Sequence, residues 1–431
     1  MKLLLRGGRV VDPSQGLDEV LDLVVEDGLV AQLGGRVPAR KGLETFDAAG
    51  LVVTPGLIDM HVHLREPGRE YKETIGSGLA AAAAGGFTAV ACMANTEPVN
   101  DNRSVTEHMI AEAARHDTAR LYPIGAVSKG LLGEELSEVG EMAEAGIVAI
   151  SDDGRPVESS ELMRRALEYS QHFGLVVIQH AEDLSLAAGG VMHEGEFSTR
   201  TGLPGLPGAA EDVMVARDLI LLEDFGGDRG RYHVAHLSTA RSLELVRQAK
   251  RKGLRATCEV TPHHLLLTDR EVWSSHLSTD TKMTPPLRSQ RDREALFEGL
   301  ADGSIDVIAS DHAPHHADEK DVQFSCAPFG IVGLETTVSL CLDRLVRPGT
   351  ISLSRLVELL SCKPAEILGV PGGTLKVGAL ADISVLSLTS RTTVNPKRFR
   401  SQGKNTPFEG WKLRGRPVAT FLAGRRVGGQ V

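Results

Sequence analysis

The segment Leu57-Ile-Asp-Met-His61-Val-His63 decides how this chain is read. It follows a largely apolar run from Leu51 to Ile58, and its end reads as a strand. On a strand, side chains at i and i+2 share a face, so His61 and His63 project together, where two imidazoles can grip one cation. Three more strand-like runs end in a comparable group: Val176-Val-Ile-Gln-His180, His233-Val-Ala-His236 and Val307-Ile-Ala-Ser-Asp311. A fourth, Ile147-Val-Ala-Ile150, leads into Ser151-Asp152-Asp153. A lone histidine on an apolar strand is usually a packed core residue. Repetition at five strand ends points instead to a metal centre where parallel strands converge.

Working outward, strand-like segments recur at 57–63, 87–93, 120–126, 147–151, 175–180, 231–237, 255–261 and 305–311. Helical patterns lie between most of them, as at 105–115, 161–172, 240–252 and 292–300, and Gly146, Gly174 and Gly253 stand where helices should stop. Eight strands alternating with helices predict an α/β fold, a (β/α)8 barrel, over residues 54–370. An open doubly wound sheet is the weaker alternative. No G-x-G-x-x-G turn follows the first strand, and ligands strung along an open edge could not share an ion. The stretches 181–210, 262–290 and 312–330 are too long for simple connections, and all follow strand C-terminal ends, where a barrel keeps its active site. Residues 1–53 and 371–431 have a different texture, with short β-type runs and many glycines, and are expected to pair into one small β-sandwich.

The chain has 431 residues, 42% of them hydrophobic, and a formal charge of -10. That charge, with no basic stripe to offset it, excludes nucleic acid and anionic membrane as partners. Leu3-Leu-Leu5 is too short for a signal-peptide core or a span, and Leu79 to Ala84 reads as a helix interior. Five cysteines without a C-x-x-C pair fit reduced thiols in a cytoplasmic enzyme.

Imidazole and carboxylate donors suit zinc or another first-row metal. His61, His63 and Asp311 would hold one ion and His180 and His236 a second, with a carboxylate from the fourth strand bridging them. Asp152 and Asp153 compete for that bridge. An ion so held lowers the pKa of a bound water to about 7, and Asp311 stands where it can move the proton. Three apart on a strand, His233 and His236 should face opposite ways; His236, nearer the end, is preferred. His263 and His264 could line the mouth, and Asp59 shares the parity of His61. His108, His116 and His172 belong to helices. On the substrate side, Arg65 offers a fork for a carboxylate, Asn95 an amide, and His315 a further donor.

Asp59-Met-His-Val-His-Leu-Arg-Glu-Pro-Gly68 resembles the signature of the cyclic amidohydrolases, and within them the dihydroorotases of the long bacterial type (type I). Met93-Ala-Asn-Thr-Glu-Pro98, Ser151-Asp-Asp-Gly154, the run from Glu259 to Thr268, Ser310-Asp-His-Ala-Pro-His315 and Ala327-Pro-Phe-Gly-Ile-Val-Gly333 resemble the same family, in order along nearly the whole chain. The resemblance implies a metal-dependent barrel with a small β-sandwich from both termini. It implies His61 and His63 on the first zinc, Asp153 as the bridge where many amidohydrolases use a carboxylated lysine, His180 and His236 on the second zinc, and Asp311 as ligand and catalytic acid/base. Substrate contacts carried over are Arg65, Asn95, His315 and the Phe329-Gly330 backbone. The family's usual Asn contact is replaced by Thr284, in Lys282-Met-Thr-Pro-Pro-Leu-Arg288. The implied reaction is reversible closure of N-carbamoyl-L-aspartate to dihydroorotate in pyrimidine synthesis, with one or two Zn2+ ions per subunit. A homodimer and a complex with aspartate carbamoyltransferase are the implied assemblies. The rival readings are a hydantoinase or allantoinase, disfavoured by Arg65, and a non-catalytic partner of the transferase, disfavoured by the full ligand set.

Overall fold

Eight parallel strands follow one another in chain order: Leu57–Val62, Phe87–Cys92, Arg120–Gly125, Ala149–Ile150, Val176–Gln179, Tyr232–Val234, Ala256–Val260 and Val307–Ile308. The computed structural model describes residues 2–38, 42–226 and 229–429, so the expected terminal units 1–53 and 371–431 are seen except for residues 1, 39–41, 430 and 431. The seam between last and first strand is closed by a parallel bridge, Val62 to His312, in which the His63 amide donates to the His312 carbonyl at 2.9 Å. The ring of strand ends is thus continuous. All eight expected strands form, and the helices Arg103–His116, Ser160–Ser170, Ala240–Arg251 and Gln290–Ala301 lie where the sequence predicts them. Gly146 and Gly253 take positive φ (110° and 79°) at helix-to-strand turns, which a Cβ would strain.

Two apolar layers follow from strand alternation. Ile58, Met60, Ala89, Ala91, Ile124, Val176, Ile178, Val307 and Ala309 fill one core, with Ile367 and Leu368 packed against them. Leu57, Val62, Val90, Val177, Val234, Cys258 and Ile308 pack outward against the helices. Parity on the first strand does not run straight through. A bulge between Asp59 and Val62 separates inward Met60 from outward Val62, so Asp59 does not share the placement of His61.

The strands from the two ends of the chain join as one hydrogen-bonded sheet of eight. Val52–Pro55 is its keystone, parallel to Lys2–Asp12 on one side and antiparallel to Ile383–Thr393 on the other. A bulge in Lys2–Asp12 and a bridge from Leu29 back to Leu380 curl the sheet around its own core of Leu3, Leu5, Val25, Val53, Ile383 and Phe421. Barrel begins at Leu57, two residues after the keystone ends. Between Ile383–Thr393 and Lys412–Leu422 the chain leaves the sheet, and residues near 401–405 lie against the barrel segments that follow the eighth strand.

The three long loops interlock above the strand ends. Arg288 donates to the Leu206 carbonyl, Lys282 to that of Ser325, and Lys320 to those of Thr279 and Pro328. Among the described residues, no helix is long and apolar enough to cross a membrane.

Candidate metal centre

Five strands deliver six buried side chains to one spot. Asp153 stands at its middle. Its Oδ2 lies 3.4 Å from Nε2 of both His61 and His63, while its Oδ1 lies 3.2 Å from His236 Nε2 and 3.5 Å from His180 Nδ1. One carboxylate thus turns one oxygen to the first-strand pair and the other to the second pair, which is a bridging geometry. Asp311 Oδ1 is 3.1 Å from His63 Nε2 and 3.5 Å from His61 Nε2. His180 Nδ1 and His236 Nε2 are 2.9 Å apart. Two groups, His61-His63-Asp311 and His61-Asp153-His236, can each converge on a single ion.

Asp152 and Asp153 differ in their partners. The Asp152 carboxylate accepts from the Val127 and Ser128 amides at 2.8 and 2.9 Å and from the Ser128 hydroxyl at 2.5 Å, so it ties two strand ends together and faces away from the cluster.

A ligating imidazole needs its other nitrogen held so that a lone pair faces the ion. His61 Nδ1 donates to Glu259 Oε1 at 2.5 Å, and His63 Nδ1 to Asn95 Oδ1 at 3.0 Å. Both therefore turn Nε2 to the cluster, and His61 Nε2 is buried without a hydrogen-bond partner. On the other side, His180 Nε2 faces Glu182 at 3.8 Å. The donor set, the bridging carboxylate and the orphaned imidazole nitrogen all fit a cation. Burial works against charge here, yet His61, with help from His180 and His236, holds Asp153 well below the ordinary carboxylate range. Asp311 is likewise lowered, by His61 and His63, against the burial that would raise it. Arg65, His236 and Asp311 have positive φ (65°, 31° and 46°), conformations that side chains of this size avoid unless held in place.

Glu259 is a working residue that the sequence reading quoted inside a motif without giving it a role. Besides His61 it accepts from the His236 amide at 3.2 Å and from His233 Nε2 at 3.3 Å, while His233 Nδ1 meets Thr257 at 2.7 Å. The expectation that His233 faces away from His236 is therefore corrected. The strand ends at Val234 and the backbone turns at His236, so parity does not carry across: the His233 ring reaches Glu259 while the His236 ring joins Asp153 and His180. Its signal was an ionisable residue inside an apolar strand. Asp59 accepts from the His61 and Ser310 amides, stitching first and last strands; burial pushes its carboxyl up to about 7. His264 is pinned between Thr261 and the Pro285 carbonyl at 2.8 Å, whereas His263 Nε2 is buried without a partner.

Arg65 is 8% exposed, donates through Nε to the Pro314 carbonyl at 3.2 Å, and has no carboxylate within ion-pairing distance among the described residues; burial pulls its pKa down to about 10. His315 lies beyond it, with Nε2 donating to the Phe329 carbonyl at 2.8 Å and Nδ1 facing Lys72 at 3.4 Å. The Gly330 amide donates to the Lys282 carbonyl. Thr284 spends its hydroxyl on Glu182, 2.7 Å away.

The barrel and its ring of ligands define the class: a metal-centred amidohydrolase. Residues 50–242 match the family described as "Dihydro-orotase-like". Relatives named dihydroorotase are 54% identical over 427 residues in Geobacter metallireducens (99% of each chain) and 56% identical over 425 residues in Anaeromyxobacter dehalogenans (99% of this chain, 97% of the other). Among solved structures, the L-hydantoinase (dihydropyrimidinase) of Arthrobacter aurescens superposes with a TM-score of 0.89 at 28% identity, covering 100% of this chain and 97% of that one. The chain belongs to the dihydroorotase family and is a hydrolase of cyclic amide C–N bonds.

Proposed function

We propose that this chain catalyses the reversible closure of N-carbamoyl-L-aspartate to (S)-dihydroorotate and water, with zinc as its metal, one or two ions per subunit. One observation carries the choice of substrate: a buried guanidinium, Arg65, set beside the cluster with no ion-paired carboxylate among the described residues. A buried unpaired charge is costly, and a substrate carboxylate relieves that cost. Hydantoin and allantoin rings carry no such group.

In this reading His61, His63 and Asp311 would hold one ion and His180 and His236 a second, with Asp153 available to both. Zinc held there would supply a Lewis acid for the ring amide carbonyl and a water of lowered pKa. Asp311, kept ionised by its histidine neighbours, accepts the proton of the attacking water and delivers it to the departing ring nitrogen. Arg65 takes the ring carboxylate, with Asn95, His315 and the Phe329-Gly330 backbone around it. Thr284 acts through Glu182 rather than as a direct counterpart of an asparagine amide. The barrel from Leu57 to about residue 370 forms the catalytic unit, and the β-rich unit of 1–53 and 371–431 extends through its keystone strand to Pro55, in a cytoplasmic homodimer open to partnership with aspartate carbamoyltransferase.

The test is turnover of dihydroorotate, hydantoin and allantoin by one purified sample with its metal content measured. Dihydroorotate turnover is expected; hydantoin turnover without it would overturn the assignment.

A further inference from the structure

Asn405 lies outside the barrel strands, in the excursion of the terminal sheet, and it is 4% exposed. Its amide nitrogen donates to two carbonyls, Ala313 at 3.0 Å and Gly330 at 2.9 Å. Its amide oxygen accepts from the His315 backbone N–H at 3.1 Å, and its own carbonyl accepts from Val332 at 2.9 Å. One side chain therefore clasps 313–315, which holds Arg65 through Pro314, to 329–330, on which the His315 ring rests. Pro314, between two of these bonds, carries the carbonyl that fixes Arg65 Nε, and His315 carries the ring that fixes Phe329. An asparagine is suited to this clasp because it has two donors and an acceptor at one planar end. Nearby, the chain is held by a second tie: the Ser401 hydroxyl and the Gln402 amide donate to Glu73, which also meets His312, the residue after Asp311. Gly403 packs on Pro314 so closely that an added Cβ would stand 2.5 Å from its Cβ.

We infer that Asn405 is a positioning residue for the carboxylate pocket, by which the terminal unit sets the placement of Arg65 and His315. The inference rests on the function proposed above. Asn405 touches neither the metal ligands nor Asp311 through any of these bonds, so its loss should act on binding and spare the chemical step.

Asn405→Ala and the near-isosteric Asn405→Asp, which keeps the acceptor and loses both donors, are assayed as full-length, metal-loaded protein. KM for dihydroorotate should rise about tenfold or more, since a misplaced guanidinium weakens its charge-assisted bond to the carboxylate in ground and transition state alike. kcat should stay within about threefold, and metal per chain should be unchanged. Inhibition by orotate, a ring with the same carboxylate, should weaken in parallel with KM. Unchanged KM in folded, metal-loaded variants would overturn the inference and leave the proposed function standing. So would loss of metal and fold in both variants, which would make Asn405 purely structural. Wild-type protein that fails to turn over dihydroorotate would overturn the function and this inference with it.

Discussion

Replacing Glu259 by glutamine tests whether one buried carboxylate orients His61 and His236 in the candidate metal cluster. Glu259 meets His61 Nδ1 at 2.5 Å, the His236 amide at 3.2 Å and His233 Nε2 at 3.3 Å. Alanine would strand three buried donors at about 1–3 kcal/mol each, enough to threaten a typical fold and blur the result. Glutamine keeps its oxygen for His61 and His236 and turns its NH2 to His233. That ring can accept there if its Nδ1 donates to Thr257, 2.7 Å away. The fold should therefore survive, while His61 loses the negative charge that raises its basicity as a ligand. Removing such an outer carboxylate lowers metal affinity about 10–100-fold, equivalent to about 1.4–2.8 kcal/mol. Competition against a chromophoric chelator at fixed pH reads the affinity, and thermal unfolding of the same sample reads the fold. Wild-type zinc affinity in Glu259→Gln would refute the orienting role.

Three further outcomes follow from the same geometry. Arg65→Met should reduce kcat/KM for dihydroorotate at least about 100-fold, given about 1.5–3 kcal/mol for each charge-assisted bond lost, and should leave thermal stability equal or higher. Equal kcat/KM would remove Arg65 from the carboxylate site. Thr284→Val deletes the hydroxyl that partners Glu182 and should cost about tenfold in kcat/KM with metal content preserved, as expected for one net hydrogen bond to a charged group; activity within experimental error of wild type would show that the bond is idle. As pH drops below 6.5, His263 and His264 should each pull stability down, opposed by Asp59, whose raised carboxyl takes up a proton in the fold before it does so in the unfolded chain. His263, lowered to about 4 by burial, and His264, lowered further for the same reason, stay neutral in the fold but take up protons when unfolded, so the unfolded state binds more protons in that window. Urea titrations should lose up to about 1.4 kcal/mol per pH unit for each such histidine between pH 6 and 5. His264→Gln should reduce that slope, and an unchanged slope would exclude the residue.

What could be read from the sequence followed from local pattern. Apolar runs of strand length between amphipathic helices gave the eight strands, and a histidine or aspartate at the end of such a run marked each member of the buried cluster. What stayed hidden depends on pairings with no local trace. Glu259 and His61 are 198 residues apart, Asn405 and Gly330 75, and neither flank advertises the partner. Parity arguments failed at two places where the backbone departs from a regular strand, the bulge after Asp59 and the left-handed turn at His236. Thr284 stands out as a departure in sequence, but its attachment to Glu182 comes from loops meeting over the mouth.

The keystone strand Val52–Pro55 has a consequence for how the protein is made. Its antiparallel neighbour begins at Ile383. At about 5–20 residues per second on a ribosome, that neighbour arrives roughly 20–60 s after the keystone has been synthesised. Throughout that interval the nascent chain carries an apolar sheet edge with unpaired amides and carbonyls, while the intervening barrel emerges and folds. Biogenesis therefore has a vulnerable period set by topology, during which neighbouring chains on one message could pair edge to edge. Ribosome stalling between residues 370 and 383 should lengthen it and raise the yield of aggregate.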